Sequence, residues 1–461
     1  MKRFVSFIEI SVVALTLAAC GLVINVNGPG RSPAIEPISP EYLDGKLDDG
    51  VIDGLISPTF ATSGGISITA DPSFFTISAD DEENLYVLNT QSGIMWSVDK
   101  TGSYRDEWSG DAGIDVKASL PTVDSDFSSA SLRQFNGQVA MMWWDTSWNN
   151  NYLTFYNPFT AGLRSSFAAS GDLYLGFGLT PGSGLTQQVL ERSNDNSLFV
   201  SSWNESDTHI QKFDLSTGAY DTDFCSNGAC VIKVYSGSRF FDAGYTMGLS
   251  EDESVLYLLS HSAADNLGSL DLSTSELHLT KINPETGAVI STPLTIPASD
   301  HGEFGWNGSF ASSALVTGSH GIYAVGYGAQ VADFMLVGIN ANESQMLTDI
   351  EPDGVVQLGD IIKNTLPGYM PFFSFVNTPN LVQVRDNVIY VLSFGVWTAT
   401  NGGTCPVVTS IDADTGQVRV IYAGCLDATN NYNGALAVGK EAIYLMLDVN
   451  AMSALKTIQI Y

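Results

Sequence analysis

The densest group of side chains suited to chemistry is Asp300-His301-Gly302-Glu303. A histidine flanked by two carboxylates can transfer protons as an acid–base pair or bind a metal ion. A lone group of this kind is more often part of a solvated loop. We therefore predict no catalytic site, and keep Asp300, His301 and Glu303 as the candidates should the chain be an enzyme.

The remaining motifs argue against a resident cofactor. The histidines, at positions 209, 261, 278, 301 and 320, form no His-Glu-x-x-His pair. Residues 412–416 (Asp-Ala-Asp-Thr-Gly) begin like a calcium loop but lack its twelve-residue pattern and its closing glutamate. The chain also has no Gly-x-Ser-x-Gly elbow and no phosphate-binding glycine loop. We expect no cofactor and no metal site, with calcium at the acidic turns as the alternative.

Aromatic residues give the best indication of a binding surface. They follow a strand that recurs along the chain, together with one histidine: Trp143, Trp144, Trp148, Trp203, His261, Tyr327 and Trp397. Asparagines lie beside them at positions 149–151 and 204. Planar rings among amide groups suit stacking on sugars or gripping a peptide. The alternative is that these rings pack between neighbouring sheets.

The strand that these residues follow is part of a repeat. Its core is a Leu-Tyr-Val-like phrase after a polar turn, at Leu85-Tyr86-Val87, Val139-Ala140-Met141, Leu198-Phe199-Val200, Leu256-Tyr257-Leu258, Ile322-Tyr323-Ala324, Ile389-Tyr390-Val391 and Ile443-Tyr444-Leu445. The middle residues are 54 to 67 positions apart. A second polar turn, ending in Gly93, Gly162, Gly218, Gly287 or Gly416, follows most of these strands.

Two hairpins per repeat make four strands, and four-stranded units recurring seven times predict an all-β fold, a seven-bladed β-propeller. A strand at residues 457–461 could pair with one within residues 51–70 and so close the ring. An eighth blade is the alternative, because Asp172-Leu173-Tyr174-Leu175 also looks like a second strand. It lies too close to Phe199 for a full blade, so we interpret it as an insertion.

One repeat resembles a known family. Residues 84–97 (Asn-Leu-Tyr-Val-Leu-Asn-Thr-Gln-Ser-Gly-Ile-Met-Trp-Ser) resemble the pyrroloquinoline-quinone-like (PQQ-like) blade repeat. The other repeats are similar to the looser YVTN-type or quinoprotein-like pattern. The resemblance implies a bacterial propeller and does not imply the quinone cofactor, since the adjacent cysteines of many such enzymes are missing. A lipoprotein with such a propeller is also similar in architecture to the scaffold lipoprotein of outer-membrane barrel assembly.

The first twenty residues have the pattern of an export signal. Lys2 and Arg3 precede an apolar stretch that ends Leu17-Ala18-Ala19-Cys20. This ending resembles the bacterial lipobox, which implies lipidation of Cys20 and delivery to the outer membrane, on either of its sides. We expect a signal peptide at 1–19, a lipidated tether at 20–48 rich in glycine and proline, and the propeller at 49–461.

Four cysteines remain after Cys20, an even number in an exported chain. Cys225 and Cys230 flank an Asn-Gly turn, and Cys405 and Cys425 are symmetric about position 415. Residues facing each other across a hairpin lie at a distance that a disulfide can bridge. We predict the pairs Cys225–Cys230 and Cys405–Cys425.

The charge narrows the possible partners. Fifty acidic residues against 19 basic ones give a net charge of −31. This balance excludes a nucleic-acid binder and adsorption to anionic lipid through a basic patch. We expect a monomer that contacts the membrane only through its lipid, a non-enzymatic binding or scaffold module for a protein or glycan of the cell envelope. A polysaccharide hydrolase or lyase on the same fold is the alternative.

Overall fold

The computed structural model describes residues 65–68, 75–120, 125–145, 151–168, 172–175, 185–204, 207–225, 229–232, 239–266, 269–291, 294–297, 313–328, 333–340, 342, 345–347, 354–371, 381–397, 404–423, 434–449 and 452–459. Within these ranges the strands form seven antiparallel sheets, numbered here in chain order. Many of the strands, such as Phe75–Ala79 and Asn151–Tyr156, are rich in β-branched and aromatic residues, which favour a pleated, half-buried surface.

The first strand, β1 (Gly65–Ile68), is far in sequence from the rest of its sheet. Sheet 1 contains β2 (Phe75–Ala79), β3 (Leu85–Asn89), β4 (Ile94–Val98) and β5 (Ile114–Asp115). Sheet 2 contains β6 (Ser125–Phe135), β7 (Gln138–Asp145), β8 (Asn151–Tyr156) and β9 (Asp172–Tyr174). Sheet 3 contains β10 (Leu185–Arg192), β11 (Ser197–Asn204), β12 (Asp207–Asp214) and β13 (Ala229–Ile232).

Sheet 4 contains β14 (Arg239–Leu249), β15 (Leu256–Asn266), β16 (Ser269–Ile282) and β17 (Leu294–Pro297). Sheet 5 contains β18 (Ala314–Thr317), β19 (Gly321–Gly328), β20 (Asp333–Asn340) and β21 (Val355–Gln357). Sheet 6 contains β22 (Tyr369–Pro371), β23 (Val382–Arg385), β24 (Val388–Trp397), β25 (Thr404–Asp412) and β26 (Val418–Ala423). Sheet 7 contains β27 (Gly434–Val438), β28 (Ala442–Val449), β29 (Met452–Gln459) and β1.

The sheets are arranged around an axis. The first strand of a sheet contacts the first strands of its neighbours: β2 meets β6 and β27, β14 meets β10 and β18, and β23 meets β18 and β27. In sheets 1 to 5, strands that follow one another in sequence are neighbours in space, so the first strand is innermost and the fourth is outermost; in sheet 7 the outermost strand is β1. The predicted all-β propeller is therefore confirmed.

The two ends of the described chain meet in sheet 7. Strand β1 pairs antiparallel with β29, from Gly65 opposite Lys456 to Ile68 opposite Ser453. The pairing that was expected between the first and last strands is therefore present, although β29 begins before residue 457. It protects an edge of the last sheet that would otherwise be open.

Two expectations about the blades are wrong. Six sheets have four strands, but sheet 6 has five, because its inner strand is split into β22 and β23. Both pieces pair with β24, one beside Trp397 and the other beside Val388. Asp172–Tyr174 is neither an insertion nor part of an eighth blade: it is β9, the fourth strand of sheet 2, with Tyr174 opposite Tyr152. Its apolar alternation does not distinguish an outer strand from a second one.

Among the residues that the structure describes, two short α-helices accompany the sheets, α1 (Val116–Ser119) and α2 (Leu358–Thr365). Helix α2 buries Leu358, Ile361 and Ile362, the spacing of one helical face, while Asp360 and Lys363 stay in solvent. It packs beside β20, β21 and β22. No helix in the described part of the chain has the length and apolar character needed to span a membrane.

The repeated phrase is the second strand of each sheet, and its aromatic residue fills the gap to the next sheet. Tyr86 is fully buried in a cluster with Trp108 and with Leu132 of sheet 2. Most of these rings lie opposite a smaller residue of the first strand, as in Tyr86–Ser78, Tyr257–Gly248, Tyr323–Val316 and Tyr444–Ala437. Opposed residues share a face of the sheet, so each small residue leaves room for the ring.

Candidate functional site

The propeller has two rims, which differ in the turns and loops that form them. The turns between first and second strands, and those between third and fourth strands, lie on one rim, which we call the turn face. The loops between second and third strands and the links between sheets lie on the other, the link face. This division follows from the antiparallel order of strands within every sheet.

The predicted aromatic residues lie at the link face, in the strands rather than in the loops after them. Trp144, Trp203, Tyr327 and Trp397 are each the last or next-to-last residue of a second strand, in β7, β11, β19 and β24. His261 lies further from the rim, in the middle of β15. The second strands all run towards the link face, so four sheets bring an aromatic residue to the same rim. Trp148 lies outside the described residues.

Trp143 is the member of this set whose side chain the structure describes. Its side chain is 1% exposed and stacks on Tyr152, with the ring centroids 4.5 Å apart. Its Nε1 donates a hydrogen bond of 2.8 Å to Thr154 Oγ1. Trp143 therefore packs inside the propeller, as the alternative interpretation expected, and we remove it from the binding set.

The structure does not test the predicted acid–base candidates. Asp300, His301 and Glu303 lie outside the described residues, as does Cys20, so these assignments stay predictions. His278 Nδ1 lies 3.2 Å from Thr295 Oγ1, and His320 Nδ1 lies 2.6 Å from Tyr323 Oη. Across the described ranges, no three His, Cys, Asp or Glu side chains are grouped to hold a metal ion.

The Cys225–Cys230 disulfide is confirmed, with a Cα–Cα distance of 5.4 Å. It lies against the third–fourth turn of sheet 4, where Cys225 N donates to Thr286 O at 3.0 Å. Gly287 in that turn has φ +70, and a Cβ there would collide with both sulfur atoms. Cys405 also takes part in a disulfide. Its pairing with Cys425 stays a prediction, because Cys425 lies outside the described residues.

The acidic residues of the turn face hold neighbouring sheets together. Glu253 of sheet 4 accepts hydrogen bonds from the Ser193 and Asn194 amides of sheet 3, at 3.2 and 2.8 Å. Glu191 of sheet 3 accepts one from the Asn136 amide of sheet 2, and Asp414 of sheet 6 one from the Ser319 amide of sheet 5. Part of the acidic surplus thus secures turns that would otherwise leave backbone donors unpaired.

The calcium-like turn at residues 412–416 uses its first carboxylate internally. Asp412 Oδ1 accepts hydrogen bonds from the Asp414 and Thr415 amides, at 2.9 and 3.2 Å. Asn283 makes the same two bonds with its neutral amide oxygen in the turn that ends at Gly287. The Asp412 carboxylate and the Asn283 amide oxygen therefore have the same role: each accepts two backbone hydrogen bonds that close a polar turn.

A buried ionic cluster lies between sheets 3 and 4. Lys212 Nζ is 2.6 Å from Asp195 Oδ2, and Arg192 Nη1 is 2.5 Å from Glu285 Oε1 and 3.0 Å from Asp195 Oδ2. Both cationic side chains are at most 7% exposed. Each buried positive charge is compensated by carboxylates, which is the arrangement expected of a structural ion pair.

One link-face carboxyl group has an unusual acidity. Asp333, at the start of β20, accepts hydrogen bonds from the Gly359 amide of α2 at 2.8 Å and from the Phe334 amide at 2.7 Å. Burial raises the pKa of Asp333 to about 6. The nearby Asp360 charge adds to this rise, whereas the hydrogen bonds from the Gly359 and Phe334 amides oppose it. Asp333 thus fastens α2 to sheet 5 while titrating close to neutrality.

A cleft that the sequence did not suggest opens on the turn face between sheets 1 and 2. It has a volume of about 730 Å³, and Asp81, Glu82, Asn136 and Ser165 are among the residues that line it. The Phe159 ring, in the same wall, is 62% exposed. The only hint in the sequence was Phe159, an aromatic residue in a turn of otherwise polar type.

The wall of this cleft is rigid. Arg105 donates to the Pro158 carbonyl at 2.9 Å and to the Tyr86 hydroxyl at 3.2 Å, and Trp108 Nε1 donates to the same carbonyl at 3.0 Å. Asp80 accepts a hydrogen bond of 2.9 Å from the Tyr86 hydroxyl. These hydrogen bonds hold Pro158 and Tyr86 in place in this wall of the cleft.

No protein-family model matches the chain, and no curated protein matches it. Solved structures similar to it include a streptogramin B lyase, with 10% identity over 85% of this chain and 96% of that one and a TM-score of 0.42. They also include virginiamycin B lyase from Staphylococcus aureus (9% identity, 86% and 98% coverage, TM-score 0.39) and the Dos1 propeller (10%, 84% and 78%, 0.38). Likenesses this distant carry no functional argument.

Proposed function

We propose that this chain is a non-enzymatic binding module of the cell envelope that captures a glycan on its link face. The observation that supports this most directly is the position of Trp144, Trp203, Tyr327 and Trp397 at the ends of second strands in four different sheets. A rigid ring with aromatic residues repeated around one rim can stack on successive sugars of a chain.

Polar strand partners make this rim suitable for sugars. Trp144 lies opposite Asn151, and Trp203 lies opposite Thr208 and next to Asn204. Rings supply the stacking surface, and amide and hydroxyl groups can bond the sugar hydroxyls. A protein partner, the other class considered from the sequence, would use the same rings as anchors.

The proposal includes the predicted address. A signal peptide at 1–19 and a lipid on Cys20 would hold the body at the outer membrane through a tether at 20–48. The body, 49–461, would be a monomer that reaches the membrane only through that lipid. We take each of the sheets as one blade of a closed ring. No cofactor is needed, and calcium at the acidic turns remains the alternative.

The test is a glycan array probed with the full chain and with a variant that carries Trp144→Ala, Trp203→Ala and Trp397→Ala. We expect the wild-type chain to retain a glycan intact and the triple variant to lose it. Phe159→Ala is the matched control, because this exposed ring lies on the opposite rim and its loss should leave glycan binding unchanged.

Three outcomes would overturn the proposal. Retention of the glycan by the triple variant would exclude the aromatic rim. Capture of an envelope protein with no glycan bound would assign the rim to a protein partner. Cleavage of a bound polysaccharide would establish the hydrolase or lyase alternative, and Asp300, His301 and Glu303 would be the first residues to replace.

A further inference from the structure

The cleft between sheets 1 and 2 has the size of a small-ligand site. Its volume of about 730 Å³ falls within the range of roughly 300–1,000 Å³ that is typical of ligand pockets. The first–second turn of sheet 1 contributes residues 80–82 to its lining, and two turns of sheet 2 contribute residues 136–138, 157–160 and 163–166. All three turns belong to the turn face, so this cleft is separate from the aromatic residues of the link face.

Phe159 gives the cleft an aromatic surface on an anchored turn. Its ring is 62% exposed, although the backbone on both sides of it is held by hydrogen bonds. The Phe159 amide donates to Asn157 Oδ1 at 2.8 Å. The carbonyl of Pro158 accepts hydrogen bonds from Arg105 at 2.9 Å and from Trp108 at 3.0 Å. The turn therefore needs little further ordering before a ligand contacts the ring, which favours binding.

The lining from sheet 1 supplies a carboxylate that can meet a ligand. Asp80 is buried and holds the turn, since it accepts hydrogen bonds from the Glu82 amide and the Tyr86 hydroxyl, both at 2.9 Å. Asp81 Oδ1 accepts a hydrogen bond of 2.9 Å from Arg385. Glu82 is exposed, and no cationic side chain among the described residues forms an ion pair with it. The Glu82 carboxylate is therefore the group of this turn that remains available to a ligand.

The charge of the lining favours a positive ligand. Three carboxylates and one guanidinium, that of Arg164, are among the described side chains that line the cleft. Arg164 donates hydrogen bonds to Gln138 Oε1 at 2.8 Å and to the Ser216 carbonyl at 2.6 Å. Its donors are thus directed to protein acceptors, and an anion entering the cleft would be repelled by the carboxylates of sheet 1.

We infer that the cleft binds an organic cation with an alkylammonium group, which Glu82 and Phe159 recognise together. A carboxylate forms strong, charge-assisted hydrogen bonds with an ammonium group. The face of an aromatic ring attracts the same group through its π electrons and also contacts the carbon chain that carries it. A bare metal ion is a poorer match, because the described carboxylates are not grouped to hold one. The alkylammonium group can belong to a free polyamine or to a lysine side chain of a peptide.

The experiment uses one probe for each source. The full chain is titrated by calorimetry with spermidine and with the blocked peptide acetyl-Gly-Lys-Gly-amide. The same peptide with an acetylated lysine is the neutral control, because it keeps the side chain and removes its charge. We expect saturable binding of at least one of the two cations, weaker at higher ionic strength, and no binding of the neutral peptide. Binding of spermidine alone would identify a free polyamine as the ligand, and binding of the lysine peptide would identify a peptide.

Two substitutions at exposed positions assign the site. Glu82→Gln removes the charge and keeps the size of the side chain, and Phe159→Leu keeps an apolar side chain without the aromatic ring. Each should weaken binding about threefold or more. Glu251→Gln is the matched control, because Glu251 is an exposed glutamate in the first–second turn of sheet 4 and does not line the cleft. It should bind the cation as the wild-type chain does.

The proposal fails if the wild-type chain binds neither cation, or if the neutral peptide binds as well as the charged one. It also fails if Glu82→Gln and Phe159→Leu both bind as the wild-type chain does. An equal loss in Glu251→Gln would show that the cation responds to the overall acidic charge and not to the cleft.

Discussion

Glu83 of sheet 1 accepts a hydrogen bond of 2.8 Å from the Tyr444 hydroxyl of sheet 7, across the junction where the two ends of the described chain meet. Its second oxygen accepts one of 2.7 Å from the Glu441 amide. Glu83 is 5% exposed and adopts φ +63, a conformation that costs a side-chain-bearing residue energy. Burial and the Glu83 carboxylate raise the pKa of Tyr444. The first and last sheets are thus joined by a specific side-chain contact, in addition to the β1–β29 pairing that joins the two ends of the described chain within sheet 7.

We predict that Glu83→Ala destabilises the propeller by about 1–3 kcal/mol, because it removes the carboxylate that accepts hydrogen bonds from the Tyr444 hydroxyl and the Glu441 amide. The measurement is the free energy of unfolding in urea. Glu82→Ala, an exposed acidic neighbour in the same turn, should change it by less than about 0.5 kcal/mol. Equal effects of the two substitutions would contradict the role assigned to Glu83.

We predict that Asp333 makes the fold more stable as the pH falls from 7 to 5. Its folded pKa of about 6 lies above the unfolded value, so the folded state holds the proton more tightly. The shift corresponds to a gain of about 1 kcal/mol over this range. Asp333→Asn cannot ionise and should flatten this part of the pH profile, whereas Asp106→Asn, at an exposed position, should not. A profile with the wild-type slope in Asp333→Asn would refute the assignment.

We predict that a side chain at Gly287 destabilises the fold, because its Cβ would collide with the two sulfurs of the Cys225–Cys230 disulfide. Gly137 is a matched control, with φ +71 against +70 for Gly287 and open space around it. Gly137→Ala should cost about 1 kcal/mol from backbone strain alone. Gly287→Ala should cost about 2 kcal/mol more, since the turn must also move away from the disulfide. Thermal unfolding under non-reducing conditions measures the loss of stability in both variants. Equal losses would show that the disulfide does not restrict the space at Gly287.

The sequence predicted the parts of the fold that depend on local pattern. Most second strands could be recognised from their Leu-Tyr-Val-like phrase, because the alternation of residue types is a property of a few consecutive residues. The Cys225–Cys230 pair was recognised for the same reason. Asp172–Tyr174 was misread because alternation does not tell which edge of a sheet a strand will join. The split inner strand of sheet 6 gave no signal, since β22 has only three residues.

The candidate sites depended on contacts between sheets, which a sequence pattern does not contain. Trp143 and Trp144 are adjacent in β7, and nothing in their local sequence indicates that Trp143 packs inside the propeller. In the sequence, Glu191 and Glu253 are two of 50 acidic residues, yet in the structure both bond to turns of a preceding sheet.

The pairing of β1 with β29 also determines when the protein can finish folding. Gly65 and Lys456 are partners, so the contact that completes sheet 7 waits until nearly the whole chain has been synthesised. Contacts between residues so far apart in sequence form slowly, because the intervening chain must first be ordered. Until then, the outer edge of β29 stays open and available for pairing with a strand of another molecule. The last strand is therefore the point at which a nascent copy of this protein is most exposed to aggregation.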